Sequence, residues 1–295
     1  MGIIKKYEFT GKTKVITQSN ESHTLHQIKA LKDFRDIKAG YLGGWIEKEE
    51  NLSQEGDCWV YSNARVYGDA RVYDDALVYD YAMVCDSSGV HDTAEVYGNA
   101  QVYGKASIGD AAQVYGKASI RGTTKVYGHA KVYGATWVSG DAQVYGNAQV
   151  FDEASIWGNA QVCDEAFIGD TAKVYDNAQV YDYAQVYGSS EVHGTALIFG
   201  RAKIYGNAQV CDEASIEGTA QVYDEASIEG TAQVYDNARV YGDARVSGDA
   251  QVCGNAQVLD DAVVCDEAIV RGNAVVTDNA VVSGKVEIFD DCHTI

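Results

Sequence analysis

The chain has 295 residues, of which 46% are hydrophobic, and its formal net charge is −20. No apolar run approaches the roughly 18 residues that a membrane-spanning helix requires, so the sequence predicts no membrane segment. The acidic excess lies entirely beyond residue 57, and a protein that binds nucleic acid directly needs the opposite sign.

The seven cysteines are an odd number and include no CxxC pair. This pattern predicts neither a disulfide framework nor a metal site, and we expect no cofactor. The segment Met1–Lys6 lacks the apolar core of a signal peptide. We therefore expect a cytoplasmic protein whose thiols stay reduced.

The chain begins with residues 1–57, which show no regular repeat. Residues 1–22 predict a small hairpin with its turn at Gly11-Lys12. Residues 23–39 carry apolar side chains three positions apart, a spacing that fits either a short amphipathic helix or an irregular first coil.

A glycine-punctuated transition follows at residues 40–56 and includes Glu47-Lys48-Glu49-Glu50, a run that we expect to be exposed. Residues 1–57 together are the predicted N-terminal cap and transition segment. A cap is needed because the first coil of a repeat fold otherwise presents open strand edges.

A six-residue repeat then occupies the chain without interruption. Every sixth residue from Val60 to Ile288 is Val or Ile, Ala usually stands four residues later, and Gly or Asp almost always stands two residues later. The unit Ala-x-Val-Tyr-Gly-Asn alternates inward and outward over four residues, which predicts a four-residue strand. The next two residues tolerate tight or left-handed backbone and predict a corner.

Because strands and corners follow one another at a constant six-residue spacing, the sequence predicts a chain that always turns in the same sense and stacks on itself. Three units then make an 18-residue coil of three parallel sheets, with Val, Ile and Ala inside. Residues 58–295 are accordingly predicted to form an all-β solenoid of about 13 coils, a triangular parallel β-helix of a single chain.

The repeat resembles the hexapeptide repeat of left-handed parallel β-helices, and this resemblance alone implies the left-handed sense. The lead-in from Ile37 to Val60, with Gly43-Gly44-Trp45-Ile46 and Gly56-Asp57-Cys58-Trp59, resembles the start of YdcK-like bacterial and phage proteins. That family is usually labelled as transferases by analogy of fold, and it implies no catalytic residue pattern for this chain.

The outward position after each aliphatic residue forms three columns, one for each face, and one column is mostly aromatic. Stacked rings that cover the sheet would explain it, as would a strip that binds a protein or a glycan. The column is interrupted at Gly169. The candidate binding residues are Tyr61, Tyr79, Tyr97, Tyr115, Tyr133, Phe151, Tyr187, Tyr205, Tyr223 and Tyr241.

The last coils place aliphatic residues at the outward position that holds mainly Gln, Ser, Lys or Arg elsewhere. These residues are Val263, Ile269, Val275 and Val281. Exposed aliphatic side chains predict either a covering tail or a subunit contact. Because the tail Phe289–Ile295 is short, we expect a homo-oligomer contact.

An acyltransferase of the hexapeptide class would use a histidine as its general base. The histidines are His23, His26, His91, His129, His193 and His293. His91 and His193 replace Tyr at the outward position, and His193 is the stronger candidate. No coil carries an insertion that would wall an acyl-CoA pocket, so we predict no catalytic residue.

Acidic residues gather at the corners, including five Asp-Glu pairs. They are Asp152-Glu153, Asp164-Glu165, Asp212-Glu213, Asp224-Glu225 and Asp266-Glu267. Calcium sites need six or more converging oxygens, and the repeat that builds them in calcium-binding solenoids is missing, so we expect a solubilising edge. An acidic rod can also mimic nucleic acid and occupy a basic groove on another protein.

The preferred hypothesis is a non-catalytic acidic scaffold, of bacterial or phage origin, that binds a protein partner through the aromatic column and the apolar C-terminal coils. The first alternative is an acyl- or acetyltransferase of the hexapeptide class. The second is a nucleic-acid-mimicking decoy that inhibits a nucleic-acid-binding protein.

Overall fold

The computed structural model describes residues 5–18 and 20–289. The chain divides into two compact units, Met1–Gly146 and Asn147–Ile295. Both are built from short parallel strands, which confirms the predicted β-solenoid, and the turns number about 14. Within the described residues, no helix is long and apolar enough to cross a membrane.

The first unit opens with three strands, β1 (Tyr7–Gln18), β2 (Glu21–Ala30) and β3 (Leu42–Ile46), followed by a 3₁₀ turn at Glu49–Asn51. β1 and β2 pair antiparallel as a hairpin. β3 pairs antiparallel with β2 on one side. On its other side it pairs in parallel with the strand at Arg65–Val66, and this adds a turn ahead of the 13 predicted ones.

The hairpin differs from the prediction in two respects. β1 continues through Gly11 and Lys12, where the pairing register only shifts, and the chain reverses after Gln18. The first half of the stretch that spacing suggested as a helix, residues 23–30, lies in strand β2, where Leu25 and Ile28 point to opposite faces of the hairpin, and residues 31–39 form bends and turns.

The tip of the hairpin covers part of the outer surface of the first unit. Leu25 is fully buried against Tyr67, Met83 and Cys85. The Tyr67 hydroxyl donates a hydrogen bond to Oε1 of Gln18. Cys85 is therefore buried although its position in the repeat points outward.

Glu47 ties the hairpin to the repeat and is half-buried rather than exposed as predicted. Its Oε1 lies 2.9 Å from Nδ1 of His23, and its Oε2 accepts a hydrogen bond of 2.7 Å from the backbone N–H of Gly68. At the same end Lys6 is fully buried and donates to the carbonyls of Gly56 and Cys58 at 3.1 and 3.0 Å.

The remaining strands of the first unit, β4 to β18, are two residues long. In order they are Trp59–Val60, Arg65–Val66, Arg71–Val72, Leu77–Val78, Met83–Val84, Gly89–Val90, Glu95–Val96, Gln101–Val102, Ser107–Ile108, Gln113–Val114, Ser119–Ile120, Lys125–Val126, Lys131–Val132, Trp137–Val138 and Gln143–Val144. They form three sheets, β1-β2-β3-β5-β8-β11-β14-β17, β4-β7-β10-β13-β16 and β6-β9-β12-β15-β18.

The second unit contains β19 to β42. In order they are Gln149–Val150, Ser155–Ile156, Gln161–Val162, Phe167–Ile168, Lys173–Val174, Gln179–Val180, Gln185–Val186, Glu191–Val192, Leu197–Ile198, Lys203–Ile204, Gln209–Val210, Ser215–Ile216, Gln221–Val222, Ser227–Ile228, Gln233–Val234, Arg239–Val240, Arg245–Val246, Gln251–Val252, Gln257–Val258, Val263–Val264, Ile269–Arg271, Val275–Val276, Val281–Val282 and Glu287–Phe289. Here too each strand pairs in parallel with the third strand along the chain, as Gln179 pairs with Leu197.

The regular strands are two residues long instead of the four predicted, because the residue before and the residue after each strand belong to the corners. The N–H of Ala178 donates to the carbonyl of Tyr175 at 3.2 Å instead of continuing the ladder. The first corner residue is left-handed as predicted, with φ of 53° at Asp170 and 71° at Gly188. Val, Ile and Ala of the repeat fill the interior, where nearly all of them are fully buried.

Candidate functional site

The aromatic column of the first unit is a ladder of stacked rings. The ring centroids of Tyr79 and Tyr97 lie 4.6 Å apart with planes inclined by 4°. Tyr97 stacks on Tyr115 at 4.7 Å, and Tyr115 stacks on Tyr133 at 4.9 Å. Tyr61 meets Tyr79 edge-on at 6.3 Å.

The column of the second unit has the same form after a gap. Tyr187, Tyr205, Tyr223 and Tyr241 stack at 5.2, 4.7 and 4.8 Å in succession. The ring of Phe151 lies over Gly169, where a Cβ atom would overlap it. A cavity of about 290 Å³ is left there, lined by Phe151, Phe167 and Tyr187 among others.

Ring stacking also occurs on the other faces, so the column is less distinctive than its sequence suggested. Trp157, Tyr175 and His193 stack in series at 4.3 and 4.7 Å. Tyr181 stacks on Phe199 at 5.0 Å. The columns therefore share a structural role, which is to cover the sheets with half-buried rings.

The tyrosine hydroxyls extend this role, because many of them bind the outward side chain of the next turn. The hydroxyl of Tyr205 donates to Oε1 of Gln221 at 3.3 Å, and that of Tyr175 donates to Oε2 of Glu191 at 3.1 Å. Burial raises the pKa of Tyr205 to about 12. Burial and the Glu191 carboxylate raise the pKa of Tyr175 to about 12.

The four aliphatic residues near the C-terminus do not form one patch. Val263 and Val281 are paired neighbours on one sheet, whereas Ile269 and Val275 belong to the two other sheets. Val281 has 65% of its surface exposed, and the other three are partly exposed. Among the four residues, Val263 and Val281 are therefore the pair that lies side by side on one sheet.

The corner aspartates form a regular set of hydrogen bonds. The carboxylate accepts a bond from the backbone N–H of the corner residue one turn later, for example from Gly104 to Asp86 at 2.8 Å and from Gly188 to Asp170 at 2.9 Å. Asp164 and Asp212, from the predicted Asp-Glu pairs, accept such bonds from Asp182 and Gly230. Much of the acidity is thus part of the turn structure.

The histidines differ in how well the structure positions them. His26 stacks on Phe9, and His23 is held by Glu47 in the cap. His129 is exposed at a corner. The Nδ1 atom of His193 lies 4.0 Å from a carboxylate oxygen of Asp176. His293 and Cys292 lie outside the described residues.

His91 has the best-defined surroundings, contrary to the ranking that placed His193 first. Its Nδ1 lies 2.7 Å from Oδ2 of Asp92, and its Nε2 lies 3.0 Å from Oγ of Ser107. A carboxylate only accepts hydrogen bonds, so Nδ1 carries a proton, and in the neutral imidazole Nε2 then accepts from the Ser107 hydroxyl. The result is an Asp-His-Ser chain that the sequence did not reveal.

Two neighbouring residues, Tyr73 and Gly109, determine where the imidazole lies. Tyr73 stacks on it with centroids 5.1 Å apart and planes inclined by 14°. Gly109 occupies the next position of the column, and a Cβ atom there would overlap Cε1 of His91. The backbone N–H of Asp110 and the imidazole of His91 both lower the pKa of Asp92, which keeps its carboxylate ionised.

Two depressions meet at Ser107. One, of about 580 Å³, includes Arg71, Gly89 and Lys105 in its lining. The other, of about 390 Å³, includes His91, Gly109 and Lys125. They arise where glycines replace larger outward residues, and nothing lies within 4 Å of where a Cβ of Gly89 would stand. Both depressions therefore form on the sheet surface without a loop insertion.

Asp74, His91 and Asp92 place one potential metal ligand each within 4.8 Å of one another. However, the carboxylates of Asp74 and Asp92 already accept backbone N–H groups of the next turn, and Nδ1 of His91 is bonded to Asp92. Turn chemistry accounts for this cluster.

The fold defines the class of this chain as a parallel β-solenoid protein. A family model described as YdcK Beta solenoid repeat matches residues 64–80, 232–249 and 250–266. A protein of Escherichia coli (strain K12) named "Uncharacterized acetyltransferase YdcK" is 57% identical over 37 residues. That segment covers 12% of this chain and 11% of the relative. The matched repeats are therefore similar to those of the YdcK β-solenoid, which agrees with the resemblance seen in the sequence.

Proposed function

We propose that this protein is a non-catalytic scaffold whose column of aromatic residues from Tyr61 to Tyr241 binds a partner protein. The observation that carries the proposal is the series Tyr187, Tyr205, Tyr223 and Tyr241, half-buried rings held at 4.7 to 5.2 Å spacing. Rings that are already ordered lose little conformational entropy on binding. Tyrosine also presents an apolar body and a polar tip to a partner.

A pull-down with mass spectrometry from the native host tests this proposal. The variant carries Tyr187→Ser, Tyr205→Ser and Tyr223→Ser, and its matched control carries Tyr175→Ser, Tyr181→Ser and Tyr235→Ser on the other columns. A partner lost with the first set and kept with the second supports the scaffold. Equal recovery with wild type and both variants contradicts it.

We further propose that Val263 and Val281 contribute to a contact between two copies of the chain. Light scattering after gel filtration measures the mass of wild type and of Val263→Ser/Val281→Ser. Ile269→Ser/Val275→Ser is the matched control, because these residues lie on the other two sheets. The contact is wrong if wild type is a monomer, or if both double variants keep its mass.

The decoy hypothesis has no particular observation in its favour, since the corner aspartates already have a role in the fold. For the scaffold we propose a cytoplasmic location in a bacterium or phage-infected cell. Its described cysteines are free, which suits a reducing compartment.

Acyl transfer is the second candidate function, and the Asp92–His91–Ser107 chain favours it. A hydrogen-bonded imidazole between a carboxylate and a hydroxyl is the arrangement that activates a nucleophile. The name of the E. coli relative points in the same direction. Release of p-nitrophenolate from p-nitrophenyl acetate, compared between wild type and His91→Gln, tests this function.

A further inference from the structure

We propose that Ser107 is a covalent nucleophile for small activated carboxylic esters and thioesters that carry an anionic group. This inference rests on the second candidate function, acyl transfer, and assigns the residue that accepts the acyl group. It is independent of the scaffold proposal.

The first support is the polarity of the hydrogen-bonded chain. Asp92 accepts from Nδ1–H of His91 at 2.7 Å, so the free lone pair of Nε2 faces the Ser107 hydroxyl 3.0 Å away. The imidazole is therefore placed to take the proton of Oγ as the oxygen attacks. Asp92 acts as a positioning residue.

As a second support, the position of the imidazole is fixed by the residues of the same column on the preceding and the following turn. Tyr73 stacks on His91 from the preceding turn, and Gly109 on the next turn leaves room for the ring. In the second unit, the Phe151 ring lies over Gly169 in the same ring-over-glycine arrangement, and a phenyl ring cannot accept a proton. That pair is a natural control for the steric part of the site.

The third support is the distribution of positive charge around Ser107. Lys125 is its partner on the adjacent strand and lines the same depression as His91. Its ammonium group is suited to stabilising the negative oxygen that forms during attack on a carbonyl. The adjoining depression is lined by two further basic residues, Arg71 and Lys105. Lys48, Glu50 and Asp69 also line it, but Lys48 is already paired with Asp69. Arg71 and Lys105 are placed to bind the anionic group of the acyl donor.

The chemical step balances without any redox partner. Oγ of Ser107 bonds to the carbonyl carbon while its proton passes to Nε2 of His91. The tetrahedral species then breaks its bond to the alcohol or thiol, which leaves with that proton. Water or an acceptor hydroxyl next attacks the acyl-Ser107 ester, His91 takes the proton of the attacking group, and Ser107 recovers it.

The full-length protein is incubated with p-nitrophenyl acetate, and p-nitrophenolate release is followed together with peptide mass mapping of the acetylated residue. We expect acetyl on Ser107 and at least a 100-fold loss of release in both Ser107→Ala and His91→Gln. Ser119→Ala and His193→Gln are the matched controls and should retain the wild-type rate. Circular dichroism establishes that each variant is folded.

Gly109→Ala and Gly169→Ala provide a second comparison, because both place a methyl group against an aromatic ring. We expect Gly109→Ala to displace His91 and reduce release at least 10-fold, and Gly169→Ala to leave it unchanged. To examine recognition of the anionic group, the turnover of mono-p-nitrophenyl succinate is compared with the turnover of p-nitrophenyl acetate. Arg71→Gln/Lys105→Gln should reduce turnover of the succinate ester alone.

These experiments distinguish failure of the Ser107 assignment from failure of the proposed acyl-transfer function. Release that falls with His91→Gln but survives Ser107→Ala would overturn the Ser107 assignment and keep acyl transfer. No release by wild type above the buffer rate, from the acetate ester and from the succinate ester alike, would overturn both. Acetyl found only on lysines, or equal effects of the two glycine variants, would overturn the inference. An unchanged ratio of succinate to acetate turnover in Arg71→Gln/Lys105→Gln would overturn its anionic substrate class.

Discussion

The carboxylate of Asp170 accepts a hydrogen bond from the backbone N–H of Gly188, 2.9 Å away, and so joins the corners of two successive turns. Asp170 holds a left-handed backbone conformation with φ of 53°, which usually favours glycine. The hydrogen bond offsets part of that strain, and this explains why Asp and Gly share the position.

Substitutions at Asp170 test this balance. Asp170→Ala loses the acceptor and keeps the strain, so we expect about 1–3 kcal/mol of destabilisation. Asp170→Gly loses only the hydrogen bond and should cost about 0.5–1.5 kcal/mol. Urea unfolding measures both, and Glu213→Ala at an exposed corner is the control, expected to lie within about 0.5 kcal/mol of wild type. Equal losses for Ala and Gly would contradict the account.

The small inward residue limits what the core can hold. Ala184 is fully buried, and Ala184→Leu adds three carbon atoms to a packed interior. We expect a loss of about 1–3 kcal/mol, or more if the turn cannot expand. Gln185→Leu adds an apolar side chain to the outward face of the same strand and should have much less effect on the urea midpoint. Similar midpoints for the two variants would show that the interior is loosely packed.

The hairpin tip should protect Cys85 from reagents. Burial raises the pKa of the Cys85 thiol to about 11, and Leu25 packs over it. Leu25→Ser should loosen this contact and expose one additional thiol to Ellman's reagent at neutral pH. The additional signal should disappear in Leu25→Ser/Cys85→Ser. If it persists there, another cysteine has been exposed and the covering role of Leu25 is wrong.

The tyrosine columns should make the fold sensitive to strong alkali. The pKa of Tyr205 is raised to about 12 from an ordinary value of 10.0, so folding favours the neutral phenol. Its contribution to stability is complete below the unfolded pKa and is lost as pH rises through about 12. Ultraviolet titration of the folded protein should show late ionisation, smaller in Tyr205→Phe. Ionisation of all tyrosines near their ordinary pKa in the folded state would refute this.

Lys14 should be an unusually reactive lysine. Its Nζ lies 4.3 Å from the ring centroid of Trp45, and burial, with a smaller effect of Arg65, lowers its pKa to about 8. A limiting amount of an N-hydroxysuccinimide ester at mildly alkaline pH should therefore label Lys14 before Lys5, which is paired with Glu49 at 2.7 Å. Peptide mapping measures the order, and earlier labelling of Lys5 would contradict it.

Several features of the fold were predictable because they depend only on where a residue stands within the six-residue unit. Val180 faces the core for the same reason as Val174 and Val186, since each holds the same position in a six-residue unit. The pairing of residues 18 apart follows once three units close a turn. The left-handed corners followed from the chemistry of Gly and Asp.

The path of the hairpin was not predictable in the same way, because residues 5–46 lack that phase. Leu25 and Tyr67 meet through the folding of one segment onto another, and no spacing encodes such a contact. The C-terminal aliphatic residues show a related limit. Val263 and Ile269 look like neighbours in the chain, but a turn of the solenoid places them on different sheets.

The candidate site depends partly on the repeat pattern and partly on the packing of side chains between turns. The sequence by itself determined that His91, Ser107 and Gly109 point outward, because the repeat assigns every side chain a direction. Only the tertiary structure decided that His91 leans across Gly109 to reach Ser107, since side-chain tilt between adjacent turns depends on packing that a periodic pattern does not contain.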